Sequence, residues 1–358
     1  RSDLLNSYEK AMVWNFKGFI LYGENDIKGA LTSFSRVVEQ KNIPEALELS
    51  TLYSLAQLNL QADNFQAALK SIDRWSVLKG GMDGKAYVLK ANANYAMKDF
   101  NAALNAISHA VAGEEKMGKL PKENWLVLQR ALFYELKQPK SVTLISEKLV
   151  RFYPRPKYWV ELANMYGETE QTRKQLAVME AAYQQGFLEK SSDLQTLAQL
   201  YYFNGAPYKA AALMKEQLAA GKLNKDLGNL RFLAQAWTTA KEGEKAVPVL
   251  QEAAEISKDG NMDARLAEAL LNLDRWQETI TAGKIAQQKG DLENPGNVSV
   301  ALGMANFNLK KFTAALNHFS AAKSDPKVRK MANQWLSYVE REKYKQDRLA
   351  DSMNRIAG

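Results

Sequence analysis

A small residue recurs at nearly constant spacing along this chain, each time within a helical pattern of larger apolar residues. Around Ala163, the segment YWVELANMYGETE (158–170) places its apolar residues at offsets of 0, 3 and 7, on one face of a helix. These residues are Trp159, Leu162 and Tyr166. Equivalent small positions follow one another about 36 residues apart, and eight of the nine are alanine or glycine: Gly18, Ala56, Ala91, Arg130, Ala163, Ala198, Ala234, Ala267 and Gly303.

A second register lies twelve residues after each of these positions, and six of its nine members are alanine. They are Ala30, Ala68, Ala103, Val142, Gln175, Ala210, Ala246, Thr279 and Ala315. Turn-prone segments separate the two registers, among them GEND at 23–26, QADN at 61–64, KD at 98–99, NG at 204–205 and KEG at 241–243. The pattern therefore predicts a pair of helices in each repeat.

The small residues have a physical purpose in such a pair. Helices of about 12–15 residues are marginal in water and must pack to be stable. A side chain larger than alanine at the crossing point would hold the two backbones apart, and each pair must bury its apolar face against its neighbours. The sequence thus predicts an all-α fold, a single right-handed α-solenoid of about nine helix pairs over residues 1–327, followed by a capping helix and tail at 328–358.

The segment after residue 327 has the amphipathic pattern of a helix that covers the last repeat. We expect one helix from Val328 to about Leu349, with an apolar stripe facing the last repeat and a charged outer face. The predicted stripe consists of Met331, Trp335, Tyr338 and Val339.

Composition narrows the possible functions. The chain contains no cysteine, which excludes disulfides, zinc–thiolate sites and iron–sulfur clusters. Its net charge is +8, but 40 acidic residues are interspersed among 48 basic ones, so we expect solvated helix faces rather than a nucleic-acid-binding surface. No apolar run approaches the roughly 20 residues that cross a bilayer.

Signals for catalysis are weak. The two histidines, His109 and His318, fall in second helices of distant repeats and cannot join one catalytic group. GEEKMGKL (113–120) resembles a phosphate-binding loop, but Leu120 replaces the magnesium-binding hydroxyl and no strand precedes it, so we interpret it as a loop in which Gly113 ends a helix. We therefore expect no enzyme, no cofactor and no metal.

The repeat pattern resembles the tetratricopeptide repeat (TPR). The pattern W-x2-L-G-x2-Y followed by A-x3-F is matched by Trp159, Leu162, Ala163 and Tyr166, by Gly18, Ala30 and Phe34, and by Gly303, Ala315 and Phe319. The resemblance extends from about residue 8 to residue 327. It implies a protein-binding scaffold.

A narrower resemblance concerns one bacterial subfamily of TPR proteins, described as components of the TonB energy-transducing system. The stretches that carry it are SYEKAMVWN (7–15), ALELSTLYSLAQL (46–58), LPKENWLVLQRALFYEL (120–136), YWVELANMYGE (158–168) and AALMKEQLAAG (211–221). This resemblance implies a periplasmic protein of Gram-negative bacteria that acts with TonB, ExbB and ExbD in iron transport. Since the chain begins at Arg1, we expect a signal peptide or anchor to have been removed.

Two registers on the first helices predict a concave groove that binds a partner. The residue after each small position is an amide in five repeats, and amides can pair with both the N–H and the C=O of a peptide. The residue four after it is often tyrosine, which offers contact area at low entropic cost. The predicted groove residues are Phe19, Tyr22, Gln57, Asn92, Tyr95, Tyr134, Asn164, Gln199, Tyr202, Arg231 and Gln235. Arg231 is expected to meet a carboxylate.

Alternative interpretations of the same residues stay open. Amides are also tolerated on solvated helix faces, and the tyrosines could pack between repeats. The protein could instead be a self-associating scaffold of the cell envelope that acts through its convex face, where Met179, Met214 and Phe319 would matter if exposed. The sequence leaves the oligomeric state open.

Overall fold

A computed structural model describes residues 5–357, with side chains described for all of these except 350, 351 and 354–357. Every regular element in that part of the chain is an α-helix, and there are nineteen. The contacts between them group the chain into two compact units, unit 1 (Arg1–Phe187) and unit 2 (Leu188–Gly358).

Unit 1 contains ten helices. Their bounds are α1 (Ser7–Gly23), α2 (Ile27–Val38), α3 (Glu45–Gln61), α4 (Phe65–Lys79), α5 (Gly84–Ala96), α6 (Phe100–Lys116), α7 (Glu123–Glu135), α8 (Pro139–Phe152), α9 (Pro156–Glu168) and α10 (Thr172–Gln184).

Unit 2 contains nine helices. Their bounds are α11 (Ser191–Phe203), α12 (Pro207–Ala219), α13 (Leu227–Thr239), α14 (Gly243–Ile256), α15 (Asn261–Leu271), α16 (Trp276–Lys289), α17 (Pro295–Asn308), α18 (Phe312–Ala322) and α19 (Arg329–Ala357).

Within each unit the helices pack in sequence order. Each odd-numbered helix packs on the next helix of its pair, and each even-numbered helix also packs on the first helix of the following pair, as α2 does on α3 and α14 on α15. First helices of successive pairs also touch, as α3 and α5 do. The predicted all-helical fold of nine helix pairs and a C-terminal helix is confirmed for the described residues.

The small positions lie at the helix crossings, as predicted. All are buried except Arg130, and the six alanines are at most 1% exposed. At Gly18, an added Cβ would lie 2.7 Å from the Phe34 ring, so no larger residue fits without displacing that ring. Arg130 is accommodated differently: its guanidinium pairs with Glu161 and lies 5.7 Å from the centre of the Tyr158 ring.

Each turn between paired helices has one left-handed residue, seven positions after the small residue. Those residues are Asn25, Asp63, Lys98, Lys137, Glu170, Gly205, Lys241, Asp274 and Lys310, with φ between 54° and 80°. The next residue closes the turn by donating its N–H to a carbonyl five residues back, as Asp26 does to Leu21 at 2.8 Å. In the KEG segment the left-handed residue is therefore Lys241, although Gly243 is the glycine.

The C-terminal helix differs from the prediction in length and in the face that it buries. It continues to Ala357, beyond the expected end near Leu349. Ala332 and Val339 are buried and Trp335 is half-buried, whereas Met331 and Tyr338 are exposed. Tyr338 nevertheless packs on the last repeat as predicted, since its ring lies 5.4 Å from that of Phe307. The prediction of Met331 as a packed residue was wrong because the buried stripe is centred on a small residue, Ala332, which lets α19 approach α18.

Gly113 does not end a helix. It lies inside α6, which continues to Lys116, and the left-handed residue that follows this helix is Gly118 with φ 68°. The first half of the segment that resembles a phosphate-binding loop is thus helical, and a helix rather than a strand precedes its last residues.

Candidate binding cleft

The amides predicted to line a groove are accessible. Gln57, Asn92, Asn164, Gln199 and Gln235 are all exposed on their first helices. The residues between which they lie are buried, so each amide stands at the edge of a packed surface. Gln57, Asn92 and Asn164 belong to unit 1, and Gln199 and Gln235 to unit 2.

The aromatic residues of the predicted groove fall into two groups. Phe19, Tyr22, Tyr95 and Tyr134 are exposed, Tyr134 most of all at 65%. Tyr202 is half-buried between first helices, with its ring 5.6 Å from that of Phe232. Tyr202 therefore packs between repeats, which is the alternative interpretation of this register.

Tyr202 and Gln235 lie together. The amide nitrogen of Gln235 donates to the Tyr202 hydroxyl at 3.1 Å, and the hydroxyls of Tyr202 and Thr239 are also 3.1 Å apart. These bonds connect α11 to α13. The remaining oxygen of the Gln235 amide stays available to a ligand.

Arg231 faces a carboxylate of its own chain. The backbone N–H of Asn261 donates to Asp259, and together with the Ser257 hydroxyl and the charge of Arg231 it lowers the Asp259 pKa. Arg231 is half-buried, and its Nε finds no hydrogen-bond partner among the described residues. Its predicted role toward a ligand stays a prediction.

A cleft of about 480 Å³ opens in unit 2 on the faces of α13, α15 and α17. We call it the unit 2 cleft. Its polar lining is formed by Gln235, Thr238, Thr239, Asn261, Arg265, Glu268, Asn272, Glu293, Asn294 and Asn297, and its apolar lining by Ala234, Leu250, Ala264, Ala269, Leu271, Leu292, Val298, Val300, Ala301 and Met331.

Two opposite charges lie unpaired in this cleft. Arg265 and Glu268 are exposed and one turn apart on α15, and neither side chain has an ion-pair or hydrogen-bond partner among the described residues. Free donors and acceptors next to an apolar floor are the combination that ligand sites use. The cleft can therefore bind a ligand with an apolar group and polar groups on either side.

The loop between α16 and α17 forms one wall and is held by Asn261. The Asn261 amide donates to the carbonyl of Asp291 at 3.0 Å and accepts from the N–H of Glu293 at 2.9 Å. At the start of the loop, Lys289 pairs at 2.8 Å with the almost buried Asp263. These bonds fix the wall before any ligand arrives.

Sequence reasoning missed most of the cleft. Of the predicted groove residues only Gln235 lines it, together with Thr238, Glu268 and Leu271 from the same two registers. Asn261 and Asn297 each lie six residues before a small position, but only one of the other seven residues at this offset, Asn124, is an amide, so no register identifies them. The contributions of the loop and of Met331 have no periodic signal.

Among the described residues, no three acidic or histidine side chains lie close enough to hold a metal ion. His109 stacks on Tyr87 at 5.1 Å, and burial and the charge of Lys284 lower the pKa of His318. No helix within residues 5–357 combines the length and the apolar character needed to cross a membrane.

The residues named for a convex binding surface do not lie on the surface of the protein. Met179, Met214 and Phe319 are at most 1% exposed, so none of them forms a surface. They would have mattered to a convex surface only if exposed, and each is buried because it lies sixteen residues after a small position and fills the space beside it.

Comparisons with known proteins identify the fold. No protein-family model and no curated protein matches the chain. A solved structure of Naa15/Naa10 bound to HypK-THB superposes with a TM-score of 0.50 at 12% identity, over 93% of this chain and 51% of that one. With the repeated helix pairs described above, this likeness supports a TPR-like all-helical repeat fold.

Shorter helical-repeat proteins also match part of the chain. YrrB, described as a TPR protein with an unusual peptide-binding site, aligns at 14% identity over 53% of this chain and 96% of its own, with a TM-score of 0.43. MamA aligns at 15% identity over 49% of this chain and 91% of its own, with a TM-score of 0.41.

Proposed function

We propose that this protein is a non-enzymatic adaptor that binds an extended segment of a protein partner, and that the unit 2 cleft is where the segment binds. The unpaired Arg265 and Glu268 beside an apolar floor carry this proposal. A peptide supplies what such a cleft accepts: an apolar side chain for the floor, and backbone or charged groups for the rim.

The polar residues that line the unit 2 cleft can hydrogen-bond to the backbone of a bound peptide. Asn272 and Asn297 each offer a donor and an acceptor, and Gln235 offers its amide oxygen, so they can pair with peptide groups of any sequence. Side-chain selection then falls to Arg265 and Glu268, which favour an acidic and a basic residue of the ligand respectively. The fixed loop wall lowers the entropic cost of binding.

A displayed library of random 12-residue peptides, selected against the whole chain, tests the cleft. We expect enriched peptides, and we expect Arg265→Ala to weaken their binding about tenfold because a charged hydrogen bond is lost. Asn272→Ala should weaken binding less. The control Glu255→Ala, at an exposed position of α14, should leave affinity unchanged. Binding that is indifferent to Arg265→Ala and Asn272→Ala would remove the cleft from this proposal.

We further propose that the partner belongs to the TonB, ExbB and ExbD machinery of iron uptake, and that the protein works in the periplasm. The sequence resemblance supports this assignment. Crosslinking in the native cell envelope, followed by detection of TonB, ExbB and ExbD, tests it. If library peptides bind the cleft but none of these three proteins is captured, the partner assignment fails and the cleft proposal remains.

A further inference from the structure

The unit 2 cleft contains a space that an aromatic ring fills elsewhere in the same unit. Phe232, on α13, lies two residues before a small position, and its ring packs 5.6 Å from that of Tyr202 on α11. The two rings fill the gap between these first helices. Two repeats further along, the equivalents of Tyr202 and Phe232 are Leu271 on α15 and Ala301 on α17, and both line the cleft. The place of the Phe232 ring is therefore open between α15 and α17.

Two neighbouring registers deepen the cleft because each places its only alanine there. Ala301 belongs to the register two residues before the small positions, and Ala264 to the register three residues before them. Four of the residues equivalent to Ala264 are valine, namely Val88, Val127, Val160 and Val300. The residues equivalent to Ala301 are Phe16, Ser54, Leu89, Leu128, Glu161, Thr196, Phe232 and Arg265.

The size and the lining of this space suit an aromatic ring. The cleft measures about 480 Å³. An apolar cavity of roughly 150 Å³ is already enough to bind benzene. Met331 also lines the cleft and is 47% exposed, and a thioether makes favourable contacts with the edges of aromatic rings. A ring buries a large area at a low entropic cost because it has few rotatable bonds.

Arg265 determines where an acidic residue of the same ligand lies relative to the ring. Arg265 occupies the same register as Ala301, one first helix earlier, and its charge has no partner among the described residues. The axes of packed helices lie about 8–10 Å apart, and an extended chain advances about 3.3 Å per residue. The acidic residue and the ring therefore lie about three positions apart in a bound segment.

We propose that the unit 2 cleft selects an extended segment with one aromatic residue, received over Ala301, and an acidic residue about three positions away, paired with Arg265. This inference rests on the proposed function, since it names the ligand of the same cleft. It makes Ala301 the residue that determines specificity.

The displayed library of 12-residue peptides, selected against the whole chain, tests the proposal. Enriched peptides should carry phenylalanine, tyrosine or tryptophan about three positions from aspartate or glutamate. In a synthetic copy of one such peptide, replacing the aromatic residue by alanine should weaken binding by about tenfold or more in fluorescence anisotropy, because buried apolar area is lost. Replacing it by leucine should weaken binding less.

Ala301→Phe should block the cleft because the chain itself then supplies the ring, as Phe232 does between α11 and α13. We expect it to weaken binding of the aromatic peptide by about tenfold, and to remove the aromatic preference from a new selection. Ala301→Ser, which matches Ser54 of the same register, should leave binding unchanged. Ala212→Phe, at an exposed position of α12, is the control for a ring added outside the cleft.

Circular dichroism melts establish that each variant folds. Ala301→Leu provides a second filled cleft, because this register already holds leucine at Leu89 and Leu128. The inference would be overturned, and the proposed function left standing, by enriched peptides that depend on Arg265 but show no aromatic preference. Aromatic peptides that bind both filled variants as tightly as the unmodified protein would have the same consequence. A library that yields no peptide dependent on Arg265 or Asn272 would overturn both.

Discussion

At the scale of single residues, the volume at each helix crossing is shared between two positions sixteen residues apart. Where the small position is glycine, phenylalanine stands sixteen residues later, as Phe34 after Gly18 and Phe319 after Gly303. After Arg130, the largest residue at a small position, the same place holds Ser146. At these three crossings, the smaller the residue at the small position, the larger the residue sixteen positions later.

Gly303→Ala should destabilise the protein despite alanine's higher helix propensity. The added Cβ would lie 2.7 Å from the Phe319 ring, which is itself stacked on Trp335 at 5.4 Å and has little room to move. Overpacking of this kind typically costs about 1–3 kcal/mol. Urea unfolding followed by circular dichroism measures the change.

The matched control for that variant is Gly113→Ala. Gly113 lies inside α6, and no atom lies within 4 Å of an added Cβ, so this change should stabilise by about 0.5–1 kcal/mol. Phe319→Leu should partly rescue Gly303→Ala. Equal stability of Gly303→Ala and the unmodified protein would contradict the packing argument.

At the scale of helices, two buried tyrosines connect α9 to its neighbours. The Tyr158 hydroxyl donates to Glu123 of α7 at 2.6 Å, and the Tyr166 hydroxyl donates to Glu147 of α8 at 2.6 Å. Burial, reinforced by these carboxylates, raises the pKa of each tyrosine to about 12. The neutral phenol is thus the form that the packed helices require.

This shift predicts a loss of stability in alkali. The unfolded chain releases these protons near pH 10, its ordinary tyrosine pKa, while the folded chain holds them to about pH 12. The contribution of each tyrosine is therefore complete below about pH 10 and declines as the pH rises toward 12. Thermal melts between pH 8 and 11.5 should show a falling Tm.

Removing the hydroxyls of Tyr158 and Tyr166 should weaken the dependence of Tm on pH. Tyr158→Phe with Tyr166→Phe is expected to lower Tm at pH 8 but to show a shallower fall above pH 10. Tyr134→Phe, at a largely exposed position, provides the comparison and should follow the unmodified protein. Parallel curves for all three proteins would show that these phenols do not govern alkaline unfolding.

At the scale of the whole molecule, stability is built from contacts between neighbouring helices. The buried clusters are local: one contains Leu126 and combines residues of α5 to α9, and another contains Leu302 and combines residues of α15 to α17. A repeat array of this type loses structure regionally rather than all at once.

Reciprocal cavity variants test this locality. Leu126→Ala and Leu302→Ala each remove a fully buried side chain and should cost about 2–5 kcal/mol. Hydrogen exchange should rise in α6 to α9 for the first variant and in α15 to α18 for the second, each leaving the other region protected. Increased exchange throughout the chain in either variant would indicate a single cooperative unit instead.

Much of the fold could be predicted because it is determined by the types of residue within each repeat. Alanine or glycine at a crossing and a turn seven residues later are consequences of nearby backbone geometry, and nine repeats made the pattern clear. Groove residues were harder, since the same register holds the exposed Tyr134 and the half-buried Tyr202. Whether a tyrosine in this register is exposed or packed depends on the residues of the neighbouring helix.

The sequence by itself determined the helix pairs, their turns and the residues at their crossings, because these depend on sterics within one repeat. The tertiary structure decided the surface on which the proposed function rests. The unit 2 cleft combines three first helices, a loop and Met331 from distant parts of the chain. Ile20 and Leu132 both lie two residues after a small position, yet Ile20 is exposed and Leu132 is buried, because Leu132 packs in a cluster formed by residues of α5 to α9.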